Sequence, residues 1–86
     1  LSHLGFKYDQ RKEEICDLIL AKKTKNIDLI IGGHTHTFMK KPVEVTNLVG
    51  EKVLINQVGC FGINIGKIDF YLSNENISRK TDSIKV

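Results

Sequence analysis

Two imidazole side chains, His34 and His36, directly follow a pair of glycines and are the residues of this chain best suited to chemistry. Neutral imidazole is a common ligand of divalent transition metals. Gly32 and Gly33 lack a β-carbon, so the backbone can turn sharply there and a ligand can come close. The third histidine, His3, lies near the start of the chain. These side chains predict part of a metal site.

The spacing alone is not specific, because most His-x-His pairs are polar surface. A zinc site usually has four protein ligands, or three and a water, and no Cys-x-x-Cys or His-Glu-x-x-His motif completes a set here. Asp28 is acidic and close in sequence, but it stands at the start of a predicted strand, which favours a strand-edge or capping role. All-histidine donors suit Zn, Mn, Fe or Co.

The elements that must position these residues begin with a βα pattern. Leu1–Gly5 predicts the end of a strand followed by a loop, so we expect the body of that strand before residue 1. Asp9 can cap a helix that runs to Lys22, with an apolar stripe at helical spacing. Ile27–Ile31 is an unbroken apolar run, typical of a strand covered on both faces. Strand, helix and strand with short links predict a βαβ unit with parallel strands.

The second half of the chain predicts an antiparallel β meander. Its predicted strands are Val43–Thr46, Lys52–Val58, Lys67–Leu72 and Ile77–Val86. Pro42 ends the loop before the first of them, and Asn74–Asn76 is typical of a turn. Gly59, Gly62 and Gly66 predict a turning segment between the second and third strands.

Composition limits the chain to one small domain of 86 residues with a net charge of +3. Its basic side chains fall in three groups without interleaved aromatics, which indicates a solvated surface and argues against nucleic acid as a partner. These groups are Lys22, Lys23 and Lys25, then Lys40 and Lys41, then Arg79 and Lys80. No apolar run is long enough to cross a bilayer, and no signal peptide is predicted. Cys16 and Cys60 are expected to be free thiols.

Several short motifs occur in a specific order. Residues 1–5 read Leu-Ser-His-Leu-Gly, and residues 27–37 read Ile-Asp-Leu-Ile-Ile-Gly-Gly-His-Thr-His-Thr. Pro42 follows, then Gln-Val-Gly-Cys-Phe-Gly at 57–62 and Gly-Lys-Ile-Asp at 66–69. In order and spacing the chain resembles the calcineurin-like metallophosphoesterases, and within them the 5′-nucleotidase branch. The resemblance covers nearly the whole chain, with the tail after Leu72 the least informative part.

The resemblance implies an α/β fold, part of a metallophosphoesterase β-sandwich flanked by helices. Its site holds two divalent metal ions bridged by an Asp. By position, His3 and His34 would bind one ion and His36 the other. Such a two-metal centre activates a hydroxide for hydrolysis of phosphate esters. The substrate class that the resemblance implies is 5′-nucleotides. Thr35 and Thr37 would orient the loop rather than act chemically.

The chain also departs from the family pattern. The front motifs Asp-x-His, Gly-Asp and Gly-Asn-His-Glu, which carry the other ligands and the histidine that acts on the leaving group, do not occur in it. We therefore expect residues 1–86 to be the C-terminal portion of a catalytic domain whose N-terminal half precedes Leu1. We expect no catalytic residue here beyond the metal ligands, and no activity from these residues alone. Unpaired sheet edges would favour self-association.

Strand and turn packing, rather than stacking on a nucleotide base, is the expected role of Phe61, Phe70 and Tyr71. A periplasmic or cell-surface location is implied by the resemblance only. Three alternatives stay open at this point. The chain is a stand-alone module that binds a metal through its histidines, a structural or interaction domain with surface histidines, or part of a relative that acts on another ester.

Overall fold

A computed structural model describes residues 1–8, 15–72 and 77–85, the last stretch by its backbone. Helix and strands follow one another in the order α1, Asp17–Lys23; β1, Leu29–Ile31; β2, Val43–Thr46; β3, Lys52–Asn56; β4, Asn64–Leu72; and β5, Ile77–Lys85. Strands β1, β3 and β2 form one sheet in that order, and β4 pairs with β5 in a second sheet. The mixed α/β class expected from the sequence is confirmed.

The three-stranded sheet has β3 at its centre. Ile30 of β1 lies opposite Ile55 in a parallel pair, and Val45 of β2 lies opposite Val53 in an antiparallel pair. Val53 and Ile55 are fully buried because β3 is covered by strands on both edges and by packing on one face. Among the side chains that the structure describes, the apolar core consists of Ala21, Ile30, Met39, Val45, Val53 and Ile55.

Helix α1 begins later than the sequence pattern predicts. Cys16 is extended, with φ of −142° and ψ of 174°, so a continuous helix from Asp9 is wrong. The first free amides of the helix are satisfied from outside it: the N–H of Asp17 donates to the carbonyl of Gly5 at 2.8 Å. Ile15 is 62% exposed and does not belong to the apolar stripe. The predicted cap and first turns, residues 9–14, lie outside the described residues.

The segment Leu1–Gly5 runs beside β1 without forming a strand. The N–H of Ser2 donates to the carbonyl of Ile31 at 2.9 Å, so the two segments meet where β1 ends. Strand β1 is also less covered than its apolar composition predicts. Ile30 is buried, but Ile31 is 45% exposed, because β1 is an edge strand of the described sheet.

The second sheet starts earlier than predicted. Strand β4 begins at Asn64, so Gly66 lies within a strand and not in the turning segment. Its partner β5 is confirmed to Lys85, whereas the predicted turn at 74–76 and Val86 lie outside the described residues. Strand β3 ends at Asn56, and Val58 instead forms an isolated antiparallel bridge with Phe38.

Both cysteines are free, as expected, and Cys16 is buried. Among the described residues, no helix has the length and apolar character that crossing a membrane requires.

Candidate functional site

The loop that follows β1 has an unusual backbone at its two histidines. His34 has φ of 70° and His36 has φ of 53°, both in the left-handed region. Such a conformation costs about 1–2 kcal/mol for a residue with a β-carbon. The two histidines are thus held in strained positions, and strain of this kind clusters at functional sites.

A tight turn at His34 accounts for part of this geometry. The N–H of Thr35 donates to the carbonyl of Gly33 at 2.9 Å, which closes a three-residue turn around His34. A positive φ at the central residue matches the γ-turn of the rarer, strained kind. The ring of His34 therefore leaves the loop in a direction that an ordinary strand end would not give it.

His3 and His34 meet at the end of β1. Nε2 of His3 lies 3.3 Å from Nδ1 of His34, and the two rings pack edge to face with centroids 5.0 Å apart. Both side chains are exposed, so the two nitrogens face each other at the surface. The structure thus brings together two of the three histidines that the sequence singles out.

His36 is not part of that pair. Its ring lies edge to face against Phe61, with centroids 6.0 Å apart. Within the described residues, no three His, Cys, Asp or Glu side chains form a group that could hold a metal ion. Asp28 precedes the amino end of β1, whereas the histidines follow its carboxyl end, so its position agrees with the strand-edge role.

The two glycines before His34 permit close approach. A β-carbon on Gly33 would lie 3.3 Å from Nδ1 of His3, and one on Gly32 would collide with Oδ2 of Asp17. In this loop a left-handed φ occurs at His34 and His36, and neither Gly32 nor Gly33 has one. Close packing, rather than a sharp turn at the glycines, is therefore what the missing β-carbons allow.

Gln57 anchors the loop from the end of β3, a role that the sequence analysis did not assign. Its side chain is 2% exposed, and its Oε1 accepts a hydrogen bond from the N–H of Thr37 at 2.5 Å. Its Nε2 donates to Oγ1 of Thr35 at 3.4 Å, and the same hydroxyl accepts from the N–H of Phe6 at 3.1 Å. Gln57 lies inside the predicted strand Lys52–Val58, so the local pattern did not mark its side chain as a support of the loop.

Packing does not explain the aromatic residue beside His36. Phe61 is 88% exposed and has φ of 63°, so the expectation that turn packing accounts for it is wrong. Phe70 and Tyr71 are 40% and 54% exposed on β4, an outer position that strand packing covers only in part.

Comparison with known proteins gives relatives for most of the chain. It is 49% identical over 53 residues to the trifunctional nucleotide phosphoesterase YfkN of Bacillus subtilis, a match covering 62% of this chain and 4% of that protein. It is 32% identical over 85 residues to the 5′-nucleotidase of Rattus norvegicus, covering 81% of this chain and 13% of that protein. The chain therefore spans a small part of the length of these relatives. No protein-family model matches it.

A solved structure shares the fold. The crystal structure of a 5′-nucleotidase precursor from Thermus thermophilus superposes with a TM-score of 0.72, at 24% identity, over 80% of this chain and 16% of that one. The mixed sheet and single described helix thus match a segment of the 5′-nucleotidase fold. By sequence and by fold together, the chain is a 5′-nucleotidase-like, hydrolase-like region.

Proposed function

We propose that the protein carrying this chain is a metal-dependent phosphoesterase of the calcineurin-like type that hydrolyses phosphate esters, with 5′-nucleotides as its substrate class. Residues 1–86 would form the C-terminal portion of its catalytic domain. His3 and His34 would bind one divalent metal ion, and His36 would bind a second. The observation that carries the proposal is the His3–His34 pair on a 5′-nucleotidase-like region.

The geometry of the pair fits a shared cation. Two nitrogen ligands at about 2.0–2.1 Å from one tetrahedral zinc ion are about 3.3–3.4 Å apart. Nε2 of His3 and Nδ1 of His34 are 3.3 Å apart. Two imidazole lone pairs that face each other at this distance repel unless a proton or a cation lies between them. A divalent ion of the Zn, Mn, Fe or Co class satisfies both nitrogens at once.

The residues of this chain orient the histidine rings and leave them exposed. When bound, two divalent ions would polarise the phosphoryl oxygens and supply an activated water. The γ-turn at His34 aims its ring at His3, and Gln57 holds the loop on both sides of His36 through Thr35 and Thr37. All three histidines are exposed within the described residues, so this part of the chain does not shield them from a phosphate ester.

The ligand set within the described residues is incomplete for this chemistry. Two histidines converge, and no third His, Cys, Asp or Glu side chain described here joins them. A hydrolytic site needs further oxygen or nitrogen ligands, which the rest of the catalytic domain would supply. We therefore expect residues 1–86 alone to bind a divalent ion and to hydrolyse no phosphate ester. A periplasmic or cell-surface location stays a proposal, to be tested by cell fractionation.

The test is phosphate release from 5′-AMP by the full-length protein. Activity should disappear after treatment with a chelator and return when Zn²⁺, Mn²⁺ or Co²⁺ is restored. His34→Ala should lower kcat/KM at least about 100-fold, because loss of a ligand costs more than loss of an outer-shell partner. Bound metal, measured by elemental analysis, should fall with it.

His36→Ala is the matched comparison, because this residue is assigned to the other ion. It should lower activity as well, while the ion at His3 and His34 is retained, so the metal content should fall by about one equivalent. Full activity in the presence of chelator would contradict the proposal. Metal binding without hydrolysis by the full-length protein would instead support the alternative of a metal-binding module.

A further inference from the structure

Asp17 carries a buried carboxyl group that the proposed site does not explain. Its side chain is 0% exposed, and it is the first residue of α1. Oδ1 accepts a hydrogen bond from the hydroxyl of Ser2 at 2.6 Å, but Oδ2 is buried without a hydrogen-bond partner among the described residues. Burying a carboxylate with an unsatisfied oxygen is costly, and the favourable place of Asp17 in the first turn of α1 offsets only part of that cost.

The carboxylate lies between the two segments that carry the histidine pair. On one side, Ser2 directly precedes His3, and its hydroxyl is held by Oδ1. On the other side, Oδ2 lies so close to Gly32 that a β-carbon there would collide with it. Gly32 leads through Gly33 into His34. The same carboxylate therefore contacts both chain segments that lead to the histidine pair, at Ser2 and at Gly32.

Backbone hydrogen bonds tie Asp17 to the first of these segments from a second direction. Its N–H donates to the carbonyl of Gly5, and the N–H of Leu18 donates to the carbonyl of Phe6 at 3.3 Å. The N–H of Ser2 in turn donates to Ile31 at the end of β1. The start of α1, the His3 segment and the end of β1 are thereby joined around one carboxylate.

We propose that Asp17 is a positioning residue for the metal pair: through the Ser2 hydroxyl and its contact with Gly32, it sets the position of His3 relative to His34. This inference rests on the proposed metal role of these histidines. The helix dipole favours an aspartate in the first turn of α1, but that role alone needs no contact with Ser2 or Gly32. Because Asp17 contacts both ligand segments, its replacement should move the ligands as well as destabilise the start of the helix.

The test measures Co²⁺ affinity of the full chain by titration calorimetry, together with its free energy of unfolding. Asp17→Ala removes the acceptor and should weaken Co²⁺ binding about 10-fold, the lower end of what outer-shell partners contribute. Because Asp17→Ala also opens a cavity and can prevent folding, Ser2→Ala is the second variant. It removes the same hydrogen bond from a half-buried position and should weaken binding in the same direction.

Two controls separate positioning from general destabilisation. Ser2→Thr keeps the hydroxyl and should restore wild-type affinity. Asn47→Ala removes the Oδ1 that accepts from the N–H groups of Val49 and Glu51. It should lower the free energy of unfolding without changing Co²⁺ affinity of the folded chain, because this turn joins β2 and β3 away from the histidines.

The outcomes are distinguishable. If His34→Ala abolishes Co²⁺ binding but Ser2→Ala binds as the wild type does, the positioning role of Asp17 is overturned and the proposed function stands. If the wild-type chain binds no Co²⁺, or if His3→Ala and His34→Ala bind it unchanged, the metal role falls and this inference falls with it.

Discussion

Gly33 lies directly against the ring of His3, so that a β-carbon at Gly33 would come within 3.3 Å of Nδ1 of His3. Contacts of 3.0–3.4 Å are tighter than most β-carbons make, so the ring must move to accept one. The opposite nitrogen of this ring, Nε2, is the atom that faces His34. Gly33 therefore limits the position of the His3 ring, and with it the distance between His3 and His34, by packing on the side of the ring that carries Nδ1.

Gly33→Ala is expected to weaken Co²⁺ binding several-fold, because the displaced ring turns Nε2 of His3 away from His34. Titration calorimetry on the folded chain measures this directly. Gly50→Ala is the matched control: Gly50 has φ of 83° and open space around it. It should destabilise the fold by about 1 kcal/mol through backbone strain and leave affinity unchanged. Equal affinity in the Gly33 and Gly50 variants would contradict the prediction.

Gly32→Ala should be destabilising by about 1–3 kcal/mol, because the added methyl group collides with Oδ2 of Asp17. In an Asp17→Ala background the same change should cost much less, since the colliding oxygen is gone. Urea unfolding of the two single variants and the double variant gives the coupling energy. Additive effects would mean that the collision is relieved in some other way and that the two residues are not coupled.

His36→Gly should be more stable than His36→Ala by about 1 kcal/mol, because glycine adopts the left-handed region without steric strain. Both variants lose the imidazole, so both should lose the metal ion assigned to it. Thermal unfolding and elemental analysis measure the two effects separately. Should alanine prove as stable as glycine there, the backbone at position 36 is not strained in solution.

Gln57→Ala should lower the free energy of unfolding by about 1–3 kcal/mol, because the N–H of Thr37 loses its partner inside the protein. Gln57→Glu keeps an oxygen for Thr37 but loses the donor to Thr35. Hydrogen exchange at the Thr37 amide is the measurement: it should accelerate in the alanine variant and stay slow in the glutamate variant. Unchanged exchange in both would mean that the loop is held from elsewhere.

Phe61→Ala should change the free energy of unfolding by no more than about 0.5 kcal/mol, since its side chain is 88% exposed. Val53→Ala, a substitution at a fully buried position, should cost about 2–3 kcal/mol and serves as the positive control. Chemical denaturation of both variants tests the contrast. A large loss at Phe61 would show that the ring is packed in solution.

Local patterns predicted much of the fold. The alternation in Val43–Thr46 and the β-rich run from Lys52 predict two strands within two residues of their observed ends. Local patterns predict less well whether a glycine lies in a turn or in a strand, and where a helix begins. Gly66 is typical of a turn but lies in β4, because pairing with β5 overrides the weak strand preference of one glycine. Helix α1 starts at Asp17, after the extended Cys16, and its first amides donate to distant carbonyls at Gly5 and Phe6 that no local pattern predicts.

The sequence by itself determined which residues could act. It supplied the imidazoles at positions 3, 34 and 36, the glycines that let them be approached, and the order of motifs that predicts a 5′-nucleotidase-like region. Only the tertiary structure decided which of them meet. His3 and His34 are 31 residues apart in sequence, and their contact depends on Ser2 reaching the end of β1. The supports Asp17 and Gln57 were invisible to local patterns, because a buried polar side chain is recognised by its distant partners and not by its neighbours in the chain.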